Sequence, residues 1–434
     1  MVKEEAAVFW FRRDLRLNDN AGLYHALKSG FQVIPLFIFD QNILDQLDDK
    51  DDARVNFIYQ QITHLKTEIE KYQSSLLVKY GKPLEIWEVL IQQFNIKAVY
   101  TNHDYEPYAK ARDKQLHQLF TKHEILFSTF KDQCVFEKDE VVKDDGKPYV
   151  VFTPYKRKWL EKLNDFYLKP YPSKKYLTEF LHTKAFEIPS LSDIGFRQSE
   201  LPFPDKNYQS ILKNYGNDRD FPAKDATSRI SVHLRFGTLS IRELVGNALS
   251  KSDVWVSELI WRDFYFSILW HFPHSAKDSF RPEYDAINWR NNEKEFKAWC
   301  EGKTGYPIVD AGMRELNSTG FMHNRVRMIV ASFLTKHLLI DWRWGERYFA
   351  RKLLDFELSS NVGGWQWAAG SGVDAAPYFR IFNPYEQVKK FDPDLKYIKK
   401  WVPEYNDSFK YPKPIVDHKM ARERCLKVYK EALN

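Results

Sequence analysis

No stretch of this 434-residue chain stays apolar for the ~20 positions that a helix needs to cross a bilayer, so a helical membrane protein is excluded. Cysteine is scarce: Cys134, Cys300 and Cys425 are odd in number and far apart, with no metal-ligand spacing. A disulfide framework and a cysteine metal site are thereby excluded, and a reducing compartment is expected. The opening MVKEEAAVFWFRRDLRL places acids first and arginines after one short apolar run, the wrong order for a secretory signal, so the expected location is the cytoplasm. No G-x-G-x-x-G follows the first strand-like run, which argues against a dinucleotide held there in the Rossmann manner. Internal repeats, low-complexity tracts and a constellation of nucleophile and base are also missing.

What is present fits a globular protein with 44% hydrophobic and 29% charged residues. The length exceeds one hydrophobic core, so two domains or more are expected. A net charge of +6 suggests a polyanionic partner only mildly and decides nothing alone. Apolar runs at 7–11, 33–39, 76–80, 98–100 and 125–130 suit buried parallel strands, with helical patterns at 21–28, 55–72, 84–94 and 108–123 between them. A doubly wound α/β domain with a parallel sheet is expected over 1–130. From 131 to 205, seven prolines from Pro148 to Pro204 break the pattern, which predicts a linker with short helices packed over the surface. Residues 206–434 read as an all-α domain, and ten of the 13 tryptophans fall from Trp255 onward.

Four segments carry chemistry. NVGGWQWAAGSGVDAAPYFRIFNP begins at Asn361 and joins the pair Gly363-Gly364 to Trp365 and Trp367, with Asp374 and Arg380 following. Glycines suit backbone that passes close to something flat or bulky, and tryptophans two apart on a helix serve different neighbours. Singly, such rings are core filler more often than cofactor stackers. In VSELIWRDFYFSILW, Glu258, Trp261, Arg262 and Tyr265 are spaced to share one helix face. Charge beside two aromatics is expensive for a core, and a Glu258–Arg262 salt bridge is the plain structural account. Thr227, Ser228 and Ser231 suggest a helix start, which serves either as a phosphate site or as an ordinary cap. Finally, Gly320 ends one helix and the next presents Asn324 and Met328 on one side.

Together with the opening FWFRRDLRLNDNAGL, these segments resemble the photolyase and cryptochrome family, in particular class I cyclobutane pyrimidine dimer photolyases. The resemblance implies an antenna-type N-terminal domain and a helical domain that binds FAD, active in its reduced anionic form. FAD would be contacted by Tyr215, Thr227, Ser228, Arg229, Ile230, Ser231, Trp261, Arg262, Asn324, Asp355, Glu357 and Asn361, with Asn361 beside flavin N5. Trp365, Trp342 and Trp289 match the family's electron relay. Glu258 would hydrogen-bond a flipped dimer, Trp261 and Trp367 would stack on it, Tyr265 and Asn324 would face DNA, and Met328 would make an apolar contact. Members that repair (6-4) photoproducts carry histidines at the positions of Asn324 and Met328.

Arg219, Arg325 and Arg380 would meet DNA phosphates, while Arg327 would pair with Asp355. Glu357 stands where many relatives have aspartate, and Val362 where they have asparagine. In YEPYAKARD, Tyr108 and Ala109 replace an Asn-Glu pair of folate-binding members, which argues against folate as a second, antenna chromophore. A deazaflavin, another flavin or no antenna remain open. The implied reaction is electron donation from light-excited flavin to the dimer, ring opening and electron return, without a metal and on a base taken out of the stack, as photolyases do. The expected partner of this monomer is DNA containing pyrimidine dimers. The alternatives are a cryptochrome photoreceptor, against which the end of the chain at Asn434 is read, a (6-4) photolyase and, more distantly, a flavin-free nucleic-acid module.

Overall fold

The computed structural model describes residues 4–375 and 377–433. Five strands form where the short apolar runs lie: β1 Glu5–Phe11, β2 Gln32–Asp40, β3 Leu77–Gly81, β4 Asn95–Asn102 and β5 Leu126–Phe130. They pair in parallel in the order β3-β2-β1-β4-β5. β1 and β2 are buried along almost their whole length, because helices cover both faces of a parallel sheet. Pro83 and Pro107 open two of the connecting helices, where a missing N–H costs nothing. The strand order reverses between β1 and β4, and the arginines that follow β1 there are largely withdrawn from water. Arg13 and Arg16 are buried, and Arg12 Nη1 pairs with Asp113 at 2.7 Å. Arg13 pairs with Asp104 and Glu106 at 3.2 and 2.9 Å, so acidic partners supply what water would have.

Two compact units emerge, and their boundaries differ from the contiguous ones expected. The first comprises residues 1–137, 162–206 and 230–249; the second comprises 138–161, 207–229 and 250–434. The physical reason for the return of 230–249 is a buried charge cluster. Arg242, 5% exposed, bonds Asp19 Oδ1 at 2.9 Å and Asp132 Oδ1 at 2.8 Å, while Arg16 reaches Asp132 Oδ2 at 2.7 Å. The Ser240 hydroxyl donates to Asp19 as well. Nor does the proline-rich segment lie over the surface throughout: in the helix Phe152–Lys162, Phe152, Tyr155 and Trp159 are buried.

The second unit is helical, as expected. One apolar cluster gathers Trp299, Tyr306, Trp342, Phe349 and Trp365, with Trp289, Trp344, Trp367 and Trp401 packed against it. The helix His418–Leu433 buries Cys425 and Tyr429 against Tyr284, Ile287 and Leu339. Lys336 is buried there, with Nζ 2.7 Å from Ala369 O and 3.8 Å from the Tyr429 ring centroid. Among the described residues, no helix is long and apolar enough to cross a membrane.

Replacing Arg242 by Ala leaves Asp19 and Asp132 short of a counter-ion, so unfolding free energy should fall by about 3–5 kcal/mol in a denaturant titration. A loss below about 1 kcal/mol would show that the cluster does not hold 230–249 in place. Lys336 gives a pH test. Burial lowers its pKa from 10.5 to about 7. The folded protein therefore releases this proton near pH 7, whereas the unfolded chain keeps it until pH 10.5. Across that window the unfolded state binds more protons, and stability contributed at this site rises with pH. Between pH 7.5 and 9.5 the parent should gain about 1 kcal/mol per pH unit relative to Lys336→Met, measured by denaturation at each pH.

Candidate functional site

The helix Asp253–His271 is capped by Ser252, whose side chain accepts from Trp255 N. Leu259, Ile260, Phe264, Phe266, Ile268 and Leu269 are buried along it. Glu258, Trp261, Arg262 and Tyr265 form a half-buried stripe, as the spacing predicted. The partner of Glu258 is different from the one expected. Its Oε1 accepts from Arg219 Nη1, while the Arg262 guanidinium lies 4.6 Å from the Phe266 ring centroid. Arg219 also sits 5.2 Å over the Tyr215 ring. Burial, assisted by Glu258, pushes the Tyr215 phenol up to about 12. Burial also raises the Tyr265 phenol, with Asp374 and Glu258 adding to it.

The helix Leu358–Ala369 begins under Glu357, which accepts from the backbone N–H groups of Ser359 and Ser360 at 3.3 and 3.0 Å and from both hydroxyls. One turn on, Asn361 Nδ2 donates to Glu346 O at 3.1 Å and to Glu346 Oε1 at 2.9 Å. Burial raises the Glu346 carboxyl, against the Asn361 hydrogen bond that lowers it. The glycine pair is split in function. A Cβ on Gly363 would overlap the Tyr265 ring, whereas one on Gly364 would meet nothing within 4 Å. Trp365 is buried edge-on to Phe349 at 5.0 Å and lies 6.0 Å from Trp299, while Trp367 is half-buried. The three tryptophans expected as a relay gather at one cluster: Trp342 and Trp365 within it, Trp289 packed on it. The Trp289 ring stands perpendicular to Tyr429 at 6.0 Å.

His323 caps the helix Asn324–Ser332 by accepting from Arg325 N at 3.2 Å, and burial lowers its pKa to about 4. Gly320, with φ +65°, ends the helix before it, as expected. Asn324 is exposed and Met328 half-buried. Arg327 pairs with Asp355 at 3.0 Å, and its Nε donates to Met322 O at 2.8 Å. Of the three arginines expected to be open to phosphates, two are already engaged. Arg325 pairs with Asp220 at 2.8 Å and lies 4.3 Å over the Phe391 ring, and Arg219 pairs with Glu258. Arg380 is exposed.

Of Thr227, Ser228 and Ser231, read from the sequence as a helix start, only Ser231 stands at one. Arg229 takes a left-handed φ of +51°, which interrupts regular backbone, so the helix begins at Ser231 and runs only to Arg235. Its cap position is Ile230, without a side-chain cap bond. Thr227, Ser228 and Arg229 belong to the second unit, and Ile230 and Ser231 to the first. Sequence reasoning missed Glu346, Asp220 and Phe152. Glu346 and Phe152 lie on other helices than the side chains they touch, and no spacing signals them.

These residues fit a flavin on two counts. With its nitrogen held by Glu346, Asn361 leaves Oδ1 as the end that can accept from a ligand. Gly364 keeps open the space that a methyl would fill. The two glycines should therefore respond oppositely. Gly363→Ala should cost about 1–3 kcal/mol of stability through overlap with Tyr265. Gly364→Ala should gain about 0.5–1 kcal/mol from helix propensity yet lower the flavin bound per chain, read by absorbance. Full flavin content in Gly364→Ala would remove that glycine from the cofactor site.

Comparison with known proteins agrees with this geometry. Residues 7–175 match the family model for DNA photolyase, and residues 255–410 match the FAD binding domain of DNA photolyase. A deoxyribodipyrimidine photo-lyase of Vibrio cholerae is 38% identical over 98% of this chain and 99% of its own. The crystal structure of a bacterial class III photolyase from Agrobacterium tumefaciens superposes with a TM-score of 0.88 at 35% identity, covering 100% of this chain and 98% of that one. An archaeal photolyase from Sulfolobus tokodaii, solved with two FAD molecules, gives 0.84 at 35% identity over 98% of this chain and 100% of its own. Identity at that level along nearly the whole length, on the same fold, has a single consequence: the chain belongs to the photolyase and cryptochrome family.

Proposed function

We propose that this protein splits cyclobutane pyrimidine dimers in DNA under blue or near-ultraviolet light. The observation that carries the proposal is the half-buried stripe Glu258, Trp261, Arg262 and Tyr265 on a helix whose neighbouring positions are buried. A charged and aromatic stripe kept from full burial is suited to a flat, polar-edged ligand such as a base pair taken out of the stack. Glu258 offers its carboxyl group to the base edges, and Trp261 and Trp367 offer ring faces. Asn324, exposed at a helix start, offers an amide, and Met328 an apolar contact in place of the histidines of (6-4) enzymes.

Tyr215, Asn361, Asp355, Glu357 and their neighbours would hold FAD, which in its reduced anionic form would supply a light-excited electron for opening the ring. Asn361, fixed by Glu346, presents a defined amide end. Trp365, Trp342 and Trp289 give oxidisable rings within one cluster. Arg380 meets a DNA phosphate directly, and Arg219 and Arg325 do so by exchanging their acidic partners for phosphate, which positions DNA without reading sequence.

The test is incubation of the flavin-loaded protein with dimer-containing DNA in light and in dark. Repair is expected only in light. In Glu258→Ala, repair should fall by about 10–100-fold, the value of a hydrogen bond to a charged group, with bound flavin unchanged. Light-independent repair, or a flavin-loaded protein that leaves dimers intact in light, would overturn the proposal, and the second result would favour a photoreceptor.

A further inference from the structure

Trp261 has one ring face already taken. Phe152 lies against it at 3.7 Å between centroids and 7° from parallel. Phe264 meets Trp261 edge-on at 5.6 Å, and Tyr265 lies tilted at 5.5 Å. Phe152 is 8% exposed and opens the helix Phe152–Lys162. That helix is keyed to the helix Asp253–His271 at successive turns. Tyr155 lies 5.1 Å from Phe264, Lys156 Nζ donates to Ser257 Oγ at 2.6 Å, and the Trp159 indole donates to Asp263 Oδ2 at 3.1 Å. At its start, Phe152 N donates to Asp374 Oδ2 at 3.3 Å. Asp374 lies just past Gly370, which ends the helix carrying Trp367, and it holds a left-handed φ of +45°. One acidic side chain thus ties the loop after Trp367 to the backbone of the residue whose ring backs Trp261.

The geometry points to Phe152 as a positioning residue for Trp261 in lesion binding, with Asp374 as its anchor. This rests on the proposed function, in which Trp261 stacks on the dimer. A tryptophan backed by a parallel ring presents a single open face at a fixed tilt, so a planar ligand meets a surface whose orientation is settled beforehand. Undamaged duplex, whose bases stay stacked, does not use that face. Phe152 therefore contributes to selectivity for the lesion and leaves general DNA affinity alone.

The experiment measures binding of the full flavin-loaded chain, in the dark, to dimer-containing and undamaged duplexes by fluorescence anisotropy. Loss of one aromatic stack corresponds to roughly three- to tenfold in affinity, so Phe152→Ala should weaken binding of the damaged duplex by that factor. Binding of the undamaged duplex should stay within about twofold of the parent. Phe152→Tyr, which keeps the flat ring, should restore selectivity. Phe152→Leu, which keeps apolar bulk without the ring, should not, and it carries the test should the alanine variant fail to fold. Added to Trp261→Ala, Phe152→Ala should cost nothing further, since both act through one ring.

If Trp261→Ala leaves damaged-duplex affinity intact, the lesion contact of Trp261 is wrong and the positioning role falls with it. If Trp261→Ala weakens that affinity while Phe152→Ala and Phe152→Leu do not, the positioning role alone is wrong. Equal weakening of both duplexes, or recovery by leucine, also overturns it.

Discussion

The close approach of Tyr265 to Gly363 is the constraint on which the site depends. Any side chain at Gly363 would overlap the ring, so the helices Asp253–His271 and Leu358–Ala369 reach their separation only with glycine there. A matching contact lies elsewhere on the same helix, where the Trp365 ring occupies the space a side chain at Gly345 would need. The helix Leu358–Ala369 is held through ring-on-glycine contacts with two neighbouring helices. Its remaining positions follow from that wedge. Asn361 faces Glu346 on the helix Trp342–Lys352, and Gly364 is left facing open space.

Charge within the site obeys a second rule. Glu258, Asp220, Asp355 and Glu357 are each engaged, by Arg219, Arg325, Arg327 and the two serines after Glu357 respectively. In a partly desolvated setting an unpaired carboxylate is expensive, so the protein satisfies these acids internally. Under the proposed function, DNA phosphates would compete with these existing pairs, so the net gain from each new contact would be smaller than the contact alone.

Much of the fold was legible from the sequence. The strands declared themselves as short apolar runs, because a sheet covered on both faces needs no polar alternation. The stripe on Asp253–His271 was legible because a three-and-four spacing of acid, arginine and aromatics is anomalous for a core. Its pairing was not. Arg219 lies 39 residues from Glu258, and local spacing favoured Arg262. Arg229 kept Thr227 and Ser228 out of the predicted helix start, which falls at Ser231, since a left-handed φ on a non-glycine residue leaves no mark in composition. The segment 131–205 looked like a linker because proline dominates local pattern, yet Phe152 and Trp159 within it are core residues of the second unit. The resemblance supplied the cofactor and relay assignments, which side-chain spacing alone could not.

The interleaved units bear on how the chain is made. During synthesis, Asp19 and Asp132 emerge long before Arg242, the cation that bonds both. Until residue 242 leaves the ribosome, Asp132 has Arg16 as its cation, whereas the Asp19 carboxylate lacks the arginine that pairs with it in the fold. The first unit is therefore not a cassette that could be cut after residue 205 and moved to another protein. Its completion waits on residues 230–249, encoded beyond the opening of the second unit.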